Sequence, residues 1–101
     1  MASRVLVSDE AMADLETIVS YLAEALAEPS AAGGVLDAFD EFVQNVSTFP
    51  EMYPPVREPR LRRLGYRKAA LGKYIALYRV QDETVLVAHV FHQSQDYAKL
   101  V

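Results

Sequence analysis

Lys73-Tyr-Ile-Ala-Leu-Tyr-Arg-Val-Gln-Asp-Glu-Thr-Val-Leu-Val-Ala-His-Val-Phe-His92 decides the fold. It holds two runs rich in β-branched and aromatic residues, Tyr74–Val80 and Thr84–His92, parted by the polar Gln81-Asp82-Glu83. A short polar break between two such runs signals a β-hairpin. Neither run contains Pro or Gly, so both suit the interior of a sheet. Both are close to continuously apolar, as strands with little solvent on either face are. A buried helix is the competing reading, and the residue types and run lengths favour strand. The hairpin is therefore expected at the centre of a sheet on which the upstream chain packs.

Upstream, Ser3 to Val7 reads as a short strand. Ser8 stands where an N-cap belongs, with Asp9 and Glu10 in a first turn that favours acids. Met12, Leu15, Ile18, Val19, Leu22 and Leu26 then follow at helical spacing until Pro29. Ser30 is placed to cap a second helix carrying Leu36, Phe39, Phe42, Val43, Val46 and Phe49 on one side. Gly33 and Gly34 imply either that this helix starts after them or that they permit close approach to the first. A phosphate cradle at this pair lacks the preceding strand it needs. Pro50, Pro54, Pro55 and Pro59 mark an irregular connector, tacked to the core by Met52, Tyr53 and Val56. Arg62 to Leu71 reads as a further strand, Gly72-Lys73 as a turn, and Gln93 to Val101 as a tail with one or two helical turns. The expectation is one α+β domain over residues 1–101, ordered β-α-α-β-β-β, with a helical hairpin on a small, mostly antiparallel sheet.

The totals narrow the function. The chain of 101 residues has no cysteine, which suits a reducing cytoplasm and excludes thiolate chemistry. It shows no basic leader followed by an apolar run, and no apolar stretch near the roughly 20 residues of a membrane span. A cytoplasmic protein away from the membrane is expected. The net charge of −4 hides a division. Up to Glu51, Arg4 is the only base against ten acids, whereas beyond it nine bases face four acids. One surface should suit an anionic partner and another a cationic one, unless the acids simply form the solvated faces of the helices.

The first surface centres on Arg57, Arg60, Arg62, Arg63, Arg67 and Lys68, with Glu58 the only acid among them, and Lys73 and Arg79 extend it. Guanidinium groups donate a planar fork to phosphates and carboxylates and never lose their charge. The partner is a nucleic acid or an acidic peptide, unless the chain's own acidic helices take up the arginines. His89 and His92 lie three apart on a strand and point to opposite faces, so they share no metal; no cofactor is expected. His92 has the chemistry of a general base but reads more simply as structural. Ser94 and Asp96 are too crowded against it for a nucleophilic triad. Tyr74 and Tyr78 read as packing residues, and Tyr97 as the tyrosine least suited to the core.

Five pieces in order carry a resemblance: Ser8-x-x-Ala11-x-x-Asp14-Leu15-x-x-Ile18-x-x-Tyr21-Leu22, Phe49-Pro50-Glu51-x-Tyr53-Pro54, Gly65-Tyr66-Arg67, Tyr74-x-x-x-Tyr78-x-Val80 and His92-x-x-x-Asp96. With them the chain resembles the RelE/ParE superfamily of bacterial type II toxin–antitoxin toxins, over nearly its full length. The resemblance implies a growth-inhibiting toxin wrapped by a cognate antitoxin in a hetero-oligomer, with exposed apolar surface when alone. RelE-like members are ribosome-dependent ribonucleases acting on mRNA through sheet cations and a tyrosine near the C-terminus. ParE-like members bind DNA gyrase and lack that set. Here Ile75 stands where the ribonuclease pattern has an arginine, and Gln95 where arginine is common in both branches. An isoleucine offers no charge to a developing oxyanion. The resemblance therefore favours the ParE-like, non-catalytic branch. Arg67, Arg79, His92 and Tyr97 are the residues a ribonuclease site would have to use.

Overall fold

The computed structural model describes residues 3–101. Its sheet has the order β1-β4-β3-β2, with β1 Arg4–Val7, β2 Tyr66–Leu71, β3 Tyr74–Gln81 and β4 Thr84–His92. The β2–β3 and β3–β4 pairs are antiparallel and β1 runs parallel to β4. The two apolar runs are thus the central strands, as expected. Their turn closes on Asp82-Glu83 alone, because Gln81 pairs with Thr84. Asp82 sits in the left-handed region at φ 57°, which Asp tolerates better than most side chains.

β4 carries a bulge that explains its unbroken apolarity. Leu77 pairs with His89 but Tyr78 with Val87, leaving Ala88 as the extra residue. The inserted residue reverses the alternation. Val85, Val87 and Val90 therefore all reach the same buried cluster despite their mixed spacing. Ser8 secures this point: its hydroxyl donates to the Ala88 carbonyl at 2.8 Å and accepts from Ala11 N–H at 3.0 Å. One side chain caps the first helix, α1 (Asp9–Ser20), and satisfies the bulge. Further along, Asp14 accepts from Val90 N–H at 3.0 Å, so α1 covers the edge of β4 that β1 leaves open.

α1 continues through a wider π-helical turn, Tyr21–Ala25, and ends as Ala27 turns left-handed at φ 50°. Pro29 does not stop this helix. It is the first residue of the next, α2 (Pro29–Thr48), and Ser30 is not its cap. A proline loses nothing at that position, where its missing N–H would be unpaired anyway. Both readings of Gly33 and Gly34 are corrected too: the helix begins before them, and a Cβ at either would meet nothing within 4 Å. α1 and α2 lie on one face of the sheet around Phe39, Phe42, Val46, Tyr78, Val85 and Val87. Phe42 packs edge-on to Tyr78 with ring centroids 5.5 Å apart.

The connector needs two corrections. Val56 is fully buried and Tyr53 packs on the core, but Met52 stays 51% exposed. The strand expected from Arg62 begins only at Tyr66, because Pro59–Arg63 forms a short helix, α3. Glu58 caps it, accepting from Leu61 N–H at 2.7 Å, with Pro59 in the first turn. Leu61 plugs a second cluster with Val56, Leu77 and Phe91 on the far face of the sheet. Tyr97, Ala98 and Val101 of the tail pack on it, the tail making one tight turn at Tyr97–Lys99.

Candidate partner-binding surface

The register sorts the basic residues by face. Residues paired across antiparallel strands point the same way, and neighbours along a strand point opposite ways. Arg67 pairs with the buried Tyr78 and so belongs to the helix side. Lys68 pairs with Leu77 and Tyr66 with Arg79, on the far side. The dense run in sequence is therefore not one patch. Arg57 lies in the connector, Arg60, Arg62 and Arg63 on α3, and Arg67 and Lys68 on opposite faces of β2.

Two of these arginines are occupied within the chain. Arg67 donates to the carbonyls of Tyr53 at 2.8 Å and Glu51 at 3.3 Å, and its guanidinium lies 3.9 Å from the Glu51 carboxylate. It clamps the connector. Arg60 donates to the carbonyls of Ala98 and Val101 at 2.9 and 2.6 Å, tying the tail to α3. Arg57, Arg62, Arg63 and Lys73 are exposed. Arg79 lies over the Tyr66 ring at 5.5 Å and Lys68 over the Tyr97 ring at 5.8 Å. Each pair offers a cation whose lower side is already packed on an aromatic ring.

Arg79 and Tyr66 border a far-face groove of about 500 Å³, also lined by Leu6, Leu86 and Ala88 and, at the start of α1, by Asp9. Leu6 is 41% exposed and Leu64, at the end of α3, is 50% exposed. Local sequence pattern does not mark either leucine as exposed. Leu6 alternates with Val5 and Val7 in Arg4–Val7, but only the sheet order shows which side of that strand stays open. Cations, aromatics and exposed leucines together suit an acidic segment with apolar anchors. The Glu58 carboxyl is held below its usual value, first by the Leu61 N–H it accepts from and then by Arg60 and Arg63. It stays anionic beside them and fixes α3 in place.

The four residues a ribonuclease site would use do not converge. Arg67 and His92 belong to the helix side, His92 pairing with Tyr74 and packing edge-on to its ring at 5.4 Å. Its Nδ1 lies 2.7 Å from Ser94 Oγ and accepts from Ser94 N–H at 3.1 Å, in a turn that Gln95 closes by accepting from His92 N–H. Asp96 instead lies 3.7 Å from Lys99. Tyr97 and Arg79 lie on the far side, Tyr97 stacked on Phe91 at 6.2 Å. His89 stacks on Phe91 at 5.3 Å and sits 3.4 Å from Asp14. Among the described residues, no three His, Asp or Glu side chains gather closely enough to hold a metal ion.

Against known proteins, residues 5–97 match the family described as the ParE toxin of the type II toxin–antitoxin system, parDE. The chain belongs to the ParE toxin family. Its fold agrees with solved ParE and RelE relatives. The chromosomal ParDE system of P. aeruginosa superposes with a TM-score of 0.72 at 19% identity, over 90% of this chain and 96% of that one. The RelBE2 toxin–antitoxin complex of Mycobacterium tuberculosis gives 0.64 at 26% identity, over 91% and 99%. The archaeal RelE–RelB complex of Pyrococcus horikoshii gives 0.60 at 16% identity, over 94% and 99%. No curated protein matches the chain by sequence. As a ParE-family toxin it has the helices-on-sheet architecture of these relatives, and among the described residues no helix is long and apolar enough to cross a membrane.

Proposed function

We propose that this ParE-family toxin arrests growth by binding DNA gyrase rather than by cutting RNA, and that a cognate antitoxin neutralises it. The observation that carries the non-catalytic reading is the division of Arg67 and His92 from Arg79 and Tyr97 by the sheet. Cleavage of a phosphodiester needs a base, an acid and a cation on one reacting group. Here the sheet stands between the two pairs, and Arg67 is spent on backbone carbonyls. Two relatives of the same fold were solved as toxin–antitoxin complexes, which supports an antitoxin partner. Arg57, Arg62, Arg63, Lys68, Lys73 and Arg79 are the residues we assign to partner binding, with Arg60 and Arg67 holding the surface they stand on.

The test is induced expression in a bacterial host without antitoxin, with pulse labelling of new DNA and new protein. DNA synthesis is expected to stop first, with chromosome breaks. Protein synthesis stopping first, and restored by Tyr97→Phe or Arg79→Ala with antitoxin binding intact, would overturn the proposal in favour of a ribosome-dependent mRNA interferase. Unaffected growth at high protein level would make the chain an antitoxin-binding module without toxicity.

A further inference from the structure

The connector segment Phe49-Pro50-Glu51-Met52 takes no part in the surface described above, yet it exposes large apolar side chains. Phe49 is 64% and Met52 51% exposed. With Thr48, Pro50, Glu51, Val80 and Asp82 they line an open hollow of about 540 Å³ where the end of α2 meets the β3–β4 turn. No lysine or arginine lines it.

Two features set this hollow apart from an apolar patch left over by folding. The first is rigidity. The buried Tyr78 hydroxyl donates to the Pro50 carbonyl at 2.8 Å, Arg67 holds the Glu51 and Tyr53 carbonyls, and Met52 N–H bonds to Phe49 C=O at 3.1 Å. Four hydrogen bonds thus pin the backbone around two exposed side chains, and a surface already ordered loses little entropy on binding. The second is charge. Asp82 lines the hollow, Glu83 follows it in the turn, and Glu51 keeps 75% of its side chain exposed despite Arg67 nearby. α2 also ends here with no basic residue in its last turn, so its C-terminal carbonyls add partial negative charge. Phe49, on that end, is an exposed aromatic ring of the kind that attracts cations.

We infer that this hollow is a second docking surface, for a polypeptide segment of a partner that carries an arginine or lysine beside an apolar side chain. The cation lies against Phe49 between Glu51 and Asp82, and the apolar group fills the space toward Met52 and Val80. Its chemistry is the reverse of the basic far face, so two segments of opposite charge are selected at separate places. The inference stands whether the toxin's target is gyrase or the ribosome.

The experiment is an NMR titration of the isotope-labelled full chain with a capped hexapeptide of leucines alternating with arginines. The comparison is its counterpart with glutamates in place of the arginines. The arginine peptide is expected to shift the amides of residues 48–52 and 80–83, about fivefold more tightly than the glutamate peptide. The preference should fade as salt rises toward the range where surface charges are screened. Phe49→Ala should abolish those shifts while leaving the melting temperature in place, because the ring is exposed. Glu51→Gln with Asp82→Asn should remove the charge preference and spare the apolar contact. Equal binding of both peptides, shifts elsewhere only, or no shifts at peptide concentrations that saturate other surfaces would overturn the inference.

Discussion

The two faces of the sheet are closed by different means. On the helix side, α1 and α2 supply two long amphipathic faces, and the cluster under them includes Phe42, Val46, Tyr78 and Val85, all essentially solvent-free. On the far side a five-residue helix and a one-turn tail cover only Val56, Leu61, Leu77 and Phe91. The remainder of that face includes Leu6, exposed on the β1 edge, with Arg79 on β3 and Lys68 on β2. The difference teaches which side bears stability and which keeps basic and apolar side chains open to an anionic partner. Outward-facing acids on the helices, uncompensated by bases, also turn anions away from the closed side.

The comparison is broken most severely at Phe42. Phe42→Ala is expected to cost about 3–5 kcal/mol, since the ring contacts Phe39, Tyr53 and Tyr78 and its loss leaves a cavity among them. Urea unfolding measures it. Leu61→Ala on the far side should fall near 2 kcal/mol, because a short helix settles into the gap more readily. A Leu61 loss equal to that of Phe42 would show the faces to be equally load-carrying.

The seam between α1 and the sheet is the next point. Ser8→Ala removes both the α1 cap and the donor to Ala88, at a cost of about 1–2 kcal/mol. Amide exchange should quicken at Ala11 and around the bulge, with the β2–β3 ladder unchanged. Gly33→Ala and Gly34→Ala are smaller and of the opposite sign. Each adds a methyl to open space in a helix interior and should raise stability by about 0.5–1 kcal/mol. A loss at either would show that the closed side needs that stretch of α2 bare.

Acid should separate the faces without mutation. The folded Glu58 carboxyl titrates below its ordinary value of 4.5, so its hold on α3 is complete above that pH and is lost as pH falls through the lowered value. Leu61 amide protection should drop in that window while the helix-side amides stay protected, and Glu58→Gln should remove the pH dependence. In base the closed side has its own marker. Burial raises the Tyr78 hydroxyl above its ordinary value of 10.0, so its contribution is intact below that pH and lost as pH climbs through the raised value.

Much of the closed side was legible in the sequence. Ser8 as a cap, the spacing of Leu15, Phe39, Phe42 and Val46, and the Tyr74–His92 hairpin are signals that local chemistry sets and packing preserves. The candidate surface was legible only as a composition. Arg57 to Lys68 declared the charge, but alternation about β2 and the α3 turn decided that Arg67 faces the helices and Lys68 the far side. Arg62 and Arg63 stand on a helix rather than the expected strand because a Glu–Pro capped turn competes with a strand over so few residues, and the capping contact wins.

By itself the sequence determined the two long helices, the strands of the central hairpin and the separation of acid from base along the chain. These follow from periodicity and residue chemistry, which act over a few neighbours. Only the tertiary structure decided that β1 pairs with β4, that Ala88 is extruded, and that Arg67 is consumed by a connector 14 and 16 residues away. Those outcomes depend on which strand edges and carbonyls meet in space, and no local preference encodes such a meeting.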